Sequence, residues 1–223
     1  KGGMLVGFVN AFTLIALALC SAEISIFSVN RIVQFSGGFS SGILSAVLAS
    51  LFLPVLEHLF KITTDFRLLE LSNLNKPILR RLAVEAPGTY HHSILVGTLA
   101  EAAAEAIGAN TLLARVGAYY HDIGKLKTPE YYVENQIYES NKHEKLSANM
   151  SSLILANHVK DGIAIAEQIK LAEEVRDLII QHHGTRLMTY FYQKAKESAE
   201  EKGQEVDQTD FRYPGPKPQT KEA

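Results

Sequence analysis

Two long stretches without a charged residue constrain the fold of this chain more than any other feature. The first runs from Met4 to Ala22 and the second from Ile32 to Leu56. A helix needs about 20 apolar residues to cross a bilayer, and both stretches meet that length. We therefore predict a transmembrane helical hairpin in residues 1–58. The alternative, two buried helices of a soluble protein, stays open because Gly, Ser and Asn residues are scattered through both stretches.

Basic residues predict the orientation of this hairpin. Cytoplasmic segments next to membrane spans carry an excess of Lys and Arg. The second stretch is followed by five basic residues: Lys61, Arg67, Lys76, Arg80 and Arg81. We therefore expect a multi-pass protein of the cell inner (plasma) membrane, with the lipid bilayer as a partner and the long C-terminal part in the cytoplasm.

Composition excludes two classes of protein. The formal net charge of -2 gives no global basic field, so we expect no nucleic-acid polymer as a partner. Cys20 is the single cysteine, which excludes an internal disulfide framework and fits a reducing compartment. The chain begins with Lys1 and its last residues read as the approach to another helix, so we expect a fragment of a longer protein.

The remainder of the chain is predicted to be helical. Residues 59–86 contain short amphipathic patterns and are predicted to connect the membrane to a domain at 87–223. No segment alternates with the period of a strand, so the predicted fold class is all-α. Gly108, Gly124 and Gly184 are predicted to close helices, whereas the charged residues 194–209 are predicted to form a mobile loop or frayed helix.

Histidines form the most informative pattern in this predicted domain. Taken one at a time, each histidine is an ordinary polar residue, but together they recur at the starts, interiors and ends of predicted helices. Imidazole is the commonest metal ligand, and one carboxylate can bridge two cations. Adjacent side chains on a helix point about 100° apart, so neighbouring ligands can face one cluster where a helix ends. The candidate ligands are His92, His121, Asp122, His158, His182 and His183.

The order of these residues resembles that of the HD-domain phosphohydrolases. Closer still, the segments "TTDFRLLELSNLNKPILRRLAVEAPGTYHHS", "YYHDIGKLKTPEYYVENQ", "QHHGT" and "FRYPGPKPQTKEA" resemble the seven-transmembrane HD family of bacterial membrane phosphodiesterases. Members of that family hydrolyse cyclic di-AMP. The resemblance covers nearly the whole chain and implies an enzyme with a helical HD-domain bundle.

The resemblance also implies two divalent transition-metal ions, iron or manganese. The first would be held by His92, His121 and Asp122, and the second by the bridging Asp122 with a further three histidines, His158, His182 and His183. In the family the first metal takes another Asp from a helix that follows "PGPKPQTKEA". This sequence stops at Ala223, so we expect the first site to be one ligand short.

The implied reaction opens a cyclic dinucleotide to its linear 5′-phosphorylated form, pApA, by attack of a metal-bridging hydroxide. Lys125 lies three residues after Asp122 and is a candidate for contacting the phosphate as a point charge. Arg186 is a candidate for pairing with a phosphate oxygen. The alternative for Lys125 is a solvated lysine at a helix end, and the alternative for Arg186 is an ordinary surface arginine.

Other readings of the function remain open. Cyclic di-GMP is the nearest rival substrate, although "HHGTRLMTYFYQ" stands where the related HD subclass carries a Gly-Tyr-Pro signature. A nucleotide phosphohydrolase and a catalytically silent HD-type membrane receptor are further alternatives, and a homodimer is possible. Tyr131, Tyr132 and Tyr138 are candidates for stacking on adenine, with simple packing as the alternative.

Overall fold

The structure is a computed structural model, and it describes residues 2–20, 29–60, 62–136, 141–200 and 205–223. Tyr138 and Lys61, which enter the expectations above, lie outside the described residues. The chain divides into two compact units, Lys1–Ile62 and Thr63–Ala223. The division at 58 and 86 inferred from the sequence stays a prediction.

The first unit consists of two helices, α1 (Gly2–Cys20) and α2 (Val29–Phe60). Small residues allow their backbones to approach, since a Cβ added at Gly7 would lie 3.0 Å from the carbonyl oxygen of Phe39. The rings of Phe8 and Phe39 meet edge to face at 5.5 Å. The Asn10 amide donates a hydrogen bond of 3.2 Å to the Ser41 hydroxyl. Small residues and polar side chains of this kind join helices inside membranes.

Within the described residues, α2 contains one segment long and apolar enough to cross a membrane, Ser36–Leu53, with a mean hydropathy of 1.5. Only 6% of this segment is buried, whereas a core helix of a soluble protein would be mostly buried. In α1 the apolar segment Leu5–Ala16 is shorter. A bilayer would cover the exposed apolar side chains of α2, which include Leu51 and Phe52.

The second unit is built from seven α-helices in its described residues, with short 3₁₀ turns between them. The all-α prediction is confirmed, because the described residues pair strand-like at only one isolated bridge, between Leu187 and Arg212. The helices are α3 (Asp65–Leu71), α4 (Pro77–Glu85), α5 (Pro87–Ala106), α6 (Thr111–Tyr120), α7 (Ala148–Gln168), α8 (Glu173–Gln181) and α9 (Thr189–Glu200).

Local sequence signals account for most helix boundaries. Thr64 caps α3 by accepting a hydrogen bond from the Arg67 amide, and Pro77 occupies the first turn of α4. Asn110 caps α6 by accepting from the Leu113 amide at 2.9 Å. Gly108, which follows α5, has a φ of +65° as expected for a glycine at a helix end.

One apolar core holds the helices that surround the histidines. It joins α3 and α4 to α5, α6 and α8 through buried residues that include Leu68, Leu82, Val116, Tyr120, Ile123, Val175 and Ile179. The two connector helices therefore pack as part of the same core as the rest of the second unit.

Residues 194–200 form the last part of α9, whereas the sequence predicted a mobile loop or frayed helix over residues 194–209. The helix runs on to Glu200 because Ala195 and Ala199 are buried, and Ala195 packs in a second apolar cluster with Phe191 and Phe211. The polar composition of residues 194–200 reflects the exposed face of an ordered amphipathic helix, and neither a mobile loop nor a frayed helix is needed to explain it.

Candidate metal centre

The paired candidate ligands stand at helix ends, as predicted. Helix α6 ends at Tyr120, so His121 is its C-cap, and α8 ends at Gln181, so His182 is its C-cap. After α8 the chain turns at Gly184, which has a φ of +54°. A left-handed residue ends the helix and lets His182 and His183 approach the same cluster.

Gly124 does not end a helix, although the sequence predicted that role. It lies within the 3₁₀ turn Ile123–Lys127 and has no left-handed backbone. A Cβ at this position would lie 1.8 Å from the carbonyl oxygen of His158 and 2.5 Å from the amide nitrogen of Gly162. Gly124 therefore allows the turn that carries Asp122 to press against the backbone of α7, which carries His158.

The six candidate ligands form two groups that share Asp122. One group contains His92, His121 and Asp122, and the other contains Asp122, His158, His182 and His183. Within each group the ligand atoms lie within 4.8 Å of one another. The tertiary structure thus brings together side chains from α5, the ends of α6 and α8, and the middle of α7.

Backbone carbonyls fix the orientation of three imidazole rings. The Nδ1 atom lies 2.7 Å from the Ala118 oxygen in His121, 2.5 Å from the Leu155 oxygen in His158, and 2.8 Å from the Ile179 oxygen in His182. A carbonyl oxygen only accepts, so each Nδ1 must carry the hydrogen. Each Nε2 then presents a lone pair to the cluster, which is how metal-binding histidines are held.

The close approach of these acceptor atoms tests whether a cation fits. The Nε2 atoms of His158 and His182 are 3.2 Å apart, and the Nε2 of His121 lies 3.0 Å from Asp122 Oδ2. Asp122 Oδ1 is buried, has no hydrogen-bond partner among the described residues, and lies 3.3 Å from His158 Nε2. Facing lone pairs repel unless a proton or metal ion lies between them, so the donor set fits metal ions.

Protonation states also suit metal binding. Burial lowers the pKa of His182 to about 3 and that of His183 to about 4, so both are neutral ligands near pH 7. Burial opposes ionisation of Asp122, but His121 and Lys125 hold the pKa of that carboxyl well below its usual range. His121 differs, because the Asp122 carboxylate raises its pKa although burial would lower it, so a metal ion must displace a proton from His121 when it binds.

Lys125 contacts the cluster and a second carboxylate. Its Nζ lies 2.9 Å from Asp122 Oδ2 and 2.7 Å from Glu134 Oε1, and its side chain is only 14% exposed. The Thr89 hydroxyl donates to the same Glu134 oxygen at 3.1 Å, and the Asn135 side chain accepts from the Thr89 amide at 3.0 Å. Lys125 is therefore a half-buried ammonium group held by two carboxylates, and it differs from the solvated lysine considered as the alternative.

Two clefts adjoin the cluster. A cleft of about 340 Å³ is reached by Lys125, His158 and His183 and has aromatic walls formed by Tyr131, Tyr132, Tyr190, Phe191 and Tyr213. A second cleft of about 410 Å³ adjoins His92, His121, His182 and His183 and has mostly apolar walls. A larger cleft of about 480 Å³ lies between α7 and α9, where none of the candidate ligands lines it.

Three residues outside the six candidate ligands were also considered in the sequence, and the structure shows where each lies relative to the cluster. Arg186 is exposed, and its side chain lies outside the lining of both clefts beside the cluster. His91 is exposed and belongs to neither ligand group among the described residues. Tyr132 is buried, and its hydroxyl donates to the Ile154 oxygen at 3.3 Å, which fits the packing reading.

Three residues at the site were not among the site residues predicted from the sequence. Glu134 pairs with Lys125, the Tyr213 ring stacks on His183 at 4.0 Å, and buried His143 lines the aromatic cleft, where the Tyr131 oxygen lies 2.9 Å from its Nε2. All three stand in irregular segments or 3₁₀ turns, where no periodicity marks which side chains point inward. Only their proximity to the histidines in space reveals them.

Comparison with known proteins identifies relatives over almost the full chain. The chain is 47% identical over 222 residues to "Cyclic-di-AMP phosphodiesterase PgpH" of Bacillus subtilis (strain 168) and 42% identical over 220 residues to the protein of the same name from Listeria monocytogenes serotype 1/2a (strain 10403S). In both cases 99% of this chain is covered. The chain spans 30% of the length of these relatives.

Solved structures resemble the second unit. The crystal structure of the L. monocytogenes phosphodiesterase PgpH HD domain in complex with cyclic-di-AMP is 50% identical, with a TM-score of 0.63 over 67% of this chain and 68% of that one. A crystal structure described without the nucleotide has a TM-score of 0.61 at the same identity, over 66% of this chain and 67% of that one.

Family comparison agrees with these relatives. Residues 1–64 match the family described as "7TM receptor with intracellular HD hydrolase", which together with the apolar helix α2 marks a membrane protein. Residues 89–223, more than half of the chain, match the HD domain family. The resemblance inferred from the sequence is confirmed, and the chain belongs to the HD domain family.

Proposed function

We propose that this protein is a metal-dependent phosphodiesterase that hydrolyses cyclic di-AMP to linear pApA. The observation that carries the proposal is the pair of ligand groups that share buried Asp122 beside Lys125 and an aromatic cleft. The relatives named as cyclic di-AMP phosphodiesterases favour this nucleotide.

We assign the six candidate ligands to two metal ions. His92, His121 and Asp122 would hold the first, whereas Asp122 with His158, His182 and His183 would hold the second. Imidazole and carboxylate ligands suit iron and manganese. A pair of such ions supplies an activated water and neutralises charge on the phosphodiester.

Side chains of the protein would bind and orient the substrate phosphate. Lys125 keeps its charge because, although burial opposes ionisation, Asp122 and Glu134 raise its pKa. An ammonium group at this position can hold a non-bridging phosphate oxygen of the substrate. Glu134 would keep Lys125 turned toward the cluster while substrate is absent. Arg186 is retained as a second candidate contact to phosphate, on the basis of its place just after the histidine pair.

The aromatic cleft offers a place for a base of the nucleotide. Aromatic faces stack on bases, and the cleft lies directly beside Lys125 and His158. His143 is 7% exposed, and its Nδ1 has no hydrogen-bond partner in the described structure. A polar group buried without a partner is costly, and a purine edge would satisfy it.

The membrane assignment is also a proposal in its finer detail. We assign α1 and α2 to a multi-pass protein of the plasma membrane, with the HD domain in the cytoplasm, on the basis of the basic residues after α2. We further propose that the protein forms a homodimer and that its domains divide at residues 58 and 86.

A product assay with matched substrates tests the proposed function. Purified protein supplied with Mn²⁺ or Fe²⁺ is incubated with cyclic di-AMP, cyclic di-GMP or a deoxynucleoside triphosphate, and products are separated by chromatography. We expect pApA to form fastest, two metal ions to be bound per chain when the site is complete, and a chelator to stop the reaction. Faster cleavage of cyclic di-GMP or the triphosphate would support the rival enzymes, and absence of metal from the purified protein would support the silent receptor.

Substitution of Lys125 separates substrate contact from metal binding. Lys125→Met is expected to lower kcat about 100-fold because a charge that stabilises the reacting phosphate is lost. Metal content should stay unchanged, since Lys125 is not a ligand. Lys127→Met is the matched control because Lys127 lies in the same 3₁₀ turn and is exposed. Equal activities of the two variants would contradict the role of Lys125.

A further inference from the structure

The segment Thr63–Leu71, called the strap below, contacts the helix that leads to the histidine pair. The backbone amide of Thr63 donates to Glu174 Oε1 at 3.2 Å, and its hydroxyl donates to Glu174 Oε2. Glu174 lies in the first turn of α8, whose last residue directly precedes His182. The first residue of the strap is thus tied to a helix that ends in two candidate metal ligands.

The other end of the strap contacts the helix that leads to the histidine and aspartate pair. The Tyr120 hydroxyl donates to the carbonyl oxygen of Leu71 at 2.9 Å. Tyr120 is the last residue of α6 and directly precedes His121, and its side chain is almost fully buried. The two hydrogen-bonded contacts therefore hold the first turn of α8 and the last residue of α6, the two helices whose C-terminal ends lead into four of the six candidate ligands.

Apolar packing holds the strap between these two contacts. Leu68 and Leu71 are buried in the same cluster as Tyr120 and Val175, so α3 shares one apolar core with α6 and α8. Close-packed interiors transmit displacements because there is no free volume in which a shift can be absorbed. A shift of the strap would be passed to the helices that it contacts.

We propose that Thr63, Glu174 and Tyr120 are positioning residues, which hold α6 and α8 so that their ligand-bearing ends meet at Asp122. This inference rests on the proposed metal centre and the proposed hydrolysis. In the sequence Thr63 follows the last residue of α2 by only three positions. The strap therefore makes the metal centre responsive to displacement of the chain at the end of α2.

The test compares strap variants in the full chain reconstituted in lipid nanodiscs. Thr63→Val, Glu174→Ala and Tyr120→Phe are expected to lower Mn²⁺ affinity and kcat about 10-fold each, with KM unchanged, as for partners that orient metal ligands. Thr63→Ser keeps the hydroxyl and should restore both quantities. Arg81→Gln is the control, because it removes an exposed ion pair with Glu85 on α4.

A second measurement distinguishes a failure of the positioning role of the strap from a failure of the proposed function. Amide hydrogen exchange of the metal-free protein is expected to rise at residues 121–127 and 182–184 in the three strap variants and to match wild type in Arg81→Gln. Unchanged exchange and unchanged Mn²⁺ affinity in folded strap variants would overturn the inference. If wild-type protein binds no Mn²⁺, the metal centre is contradicted, and the exchange data still decide whether the strap positions these helix ends.

Discussion

Asp122→Ala is expected to remove both metal ions and to lower hydrolysis more than 100-fold. Asp122 is the one residue common to the two ligand groups, and its carboxylate lies between histidines of both. Loss of a partner outside the coordination sphere already costs about 10- to 100-fold in affinity or activity, so loss of a bridging ligand should cost more. Metal content and pApA formation are measured together on the purified variant.

Two further variants sharpen this result. Asp122→Asn keeps the side-chain shape but removes the charge, so it should retain at most one weakly bound ion. Asp210→Asn removes a carboxylate whose residue is exposed and should leave metal content and activity at the wild-type level. Two ions per chain and normal turnover in Asp122→Ala would refute the bridging role.

Gly124→Ala is expected to destabilise the protein by about 3 kcal/mol or more and to weaken metal binding. The added Cβ would lie 1.8 Å from a backbone oxygen of α7, so the backbone itself must move. Overpacking a core usually costs about 1 to 3 kcal/mol, and clashes with backbone lie at or beyond the upper end. The displaced turn would also move Asp122 away from His158. Urea unfolding of the metal-free variant and Mn²⁺ titration measure the two effects.

Gly108→Ala is the matched control for a glycine substitution. Gly108 has a left-handed backbone with a φ of +65°, but a Cβ there would have no atom of the described part of the chain within 4 Å. The expected cost is the backbone strain alone, about 1 kcal/mol, with no change in metal affinity. Equal effects of the two substitutions would show that close approach at Gly124 does not position the site.

The candidate ligands were predictable because local signals and residue chemistry coincide at helix ends. Gly184 predicts where α8 ends, and the ligand types in the pairs His121–Asp122 and His182–His183 suggest a metal whatever the fold. The role of Gly124 was not predictable, since a glycine that allows close approach to a distant helix looks the same in sequence as one that ends a helix. The same limit explains why Glu134 and His143, which stand outside regular helices, were not predicted as site residues.

The sequence by itself determined the all-α class, the apolar helix α2 and the set of candidate ligands, because periodicity, length and side-chain chemistry are properties of local segments. The tertiary structure brings these ligands into two groups that share Asp122, and it alone showed that Lys125 is held by Glu134 and that the strap contacts both α6 and α8. These contacts join residues far apart in the chain, and their geometry depends on how helices pack, which no local pattern encodes.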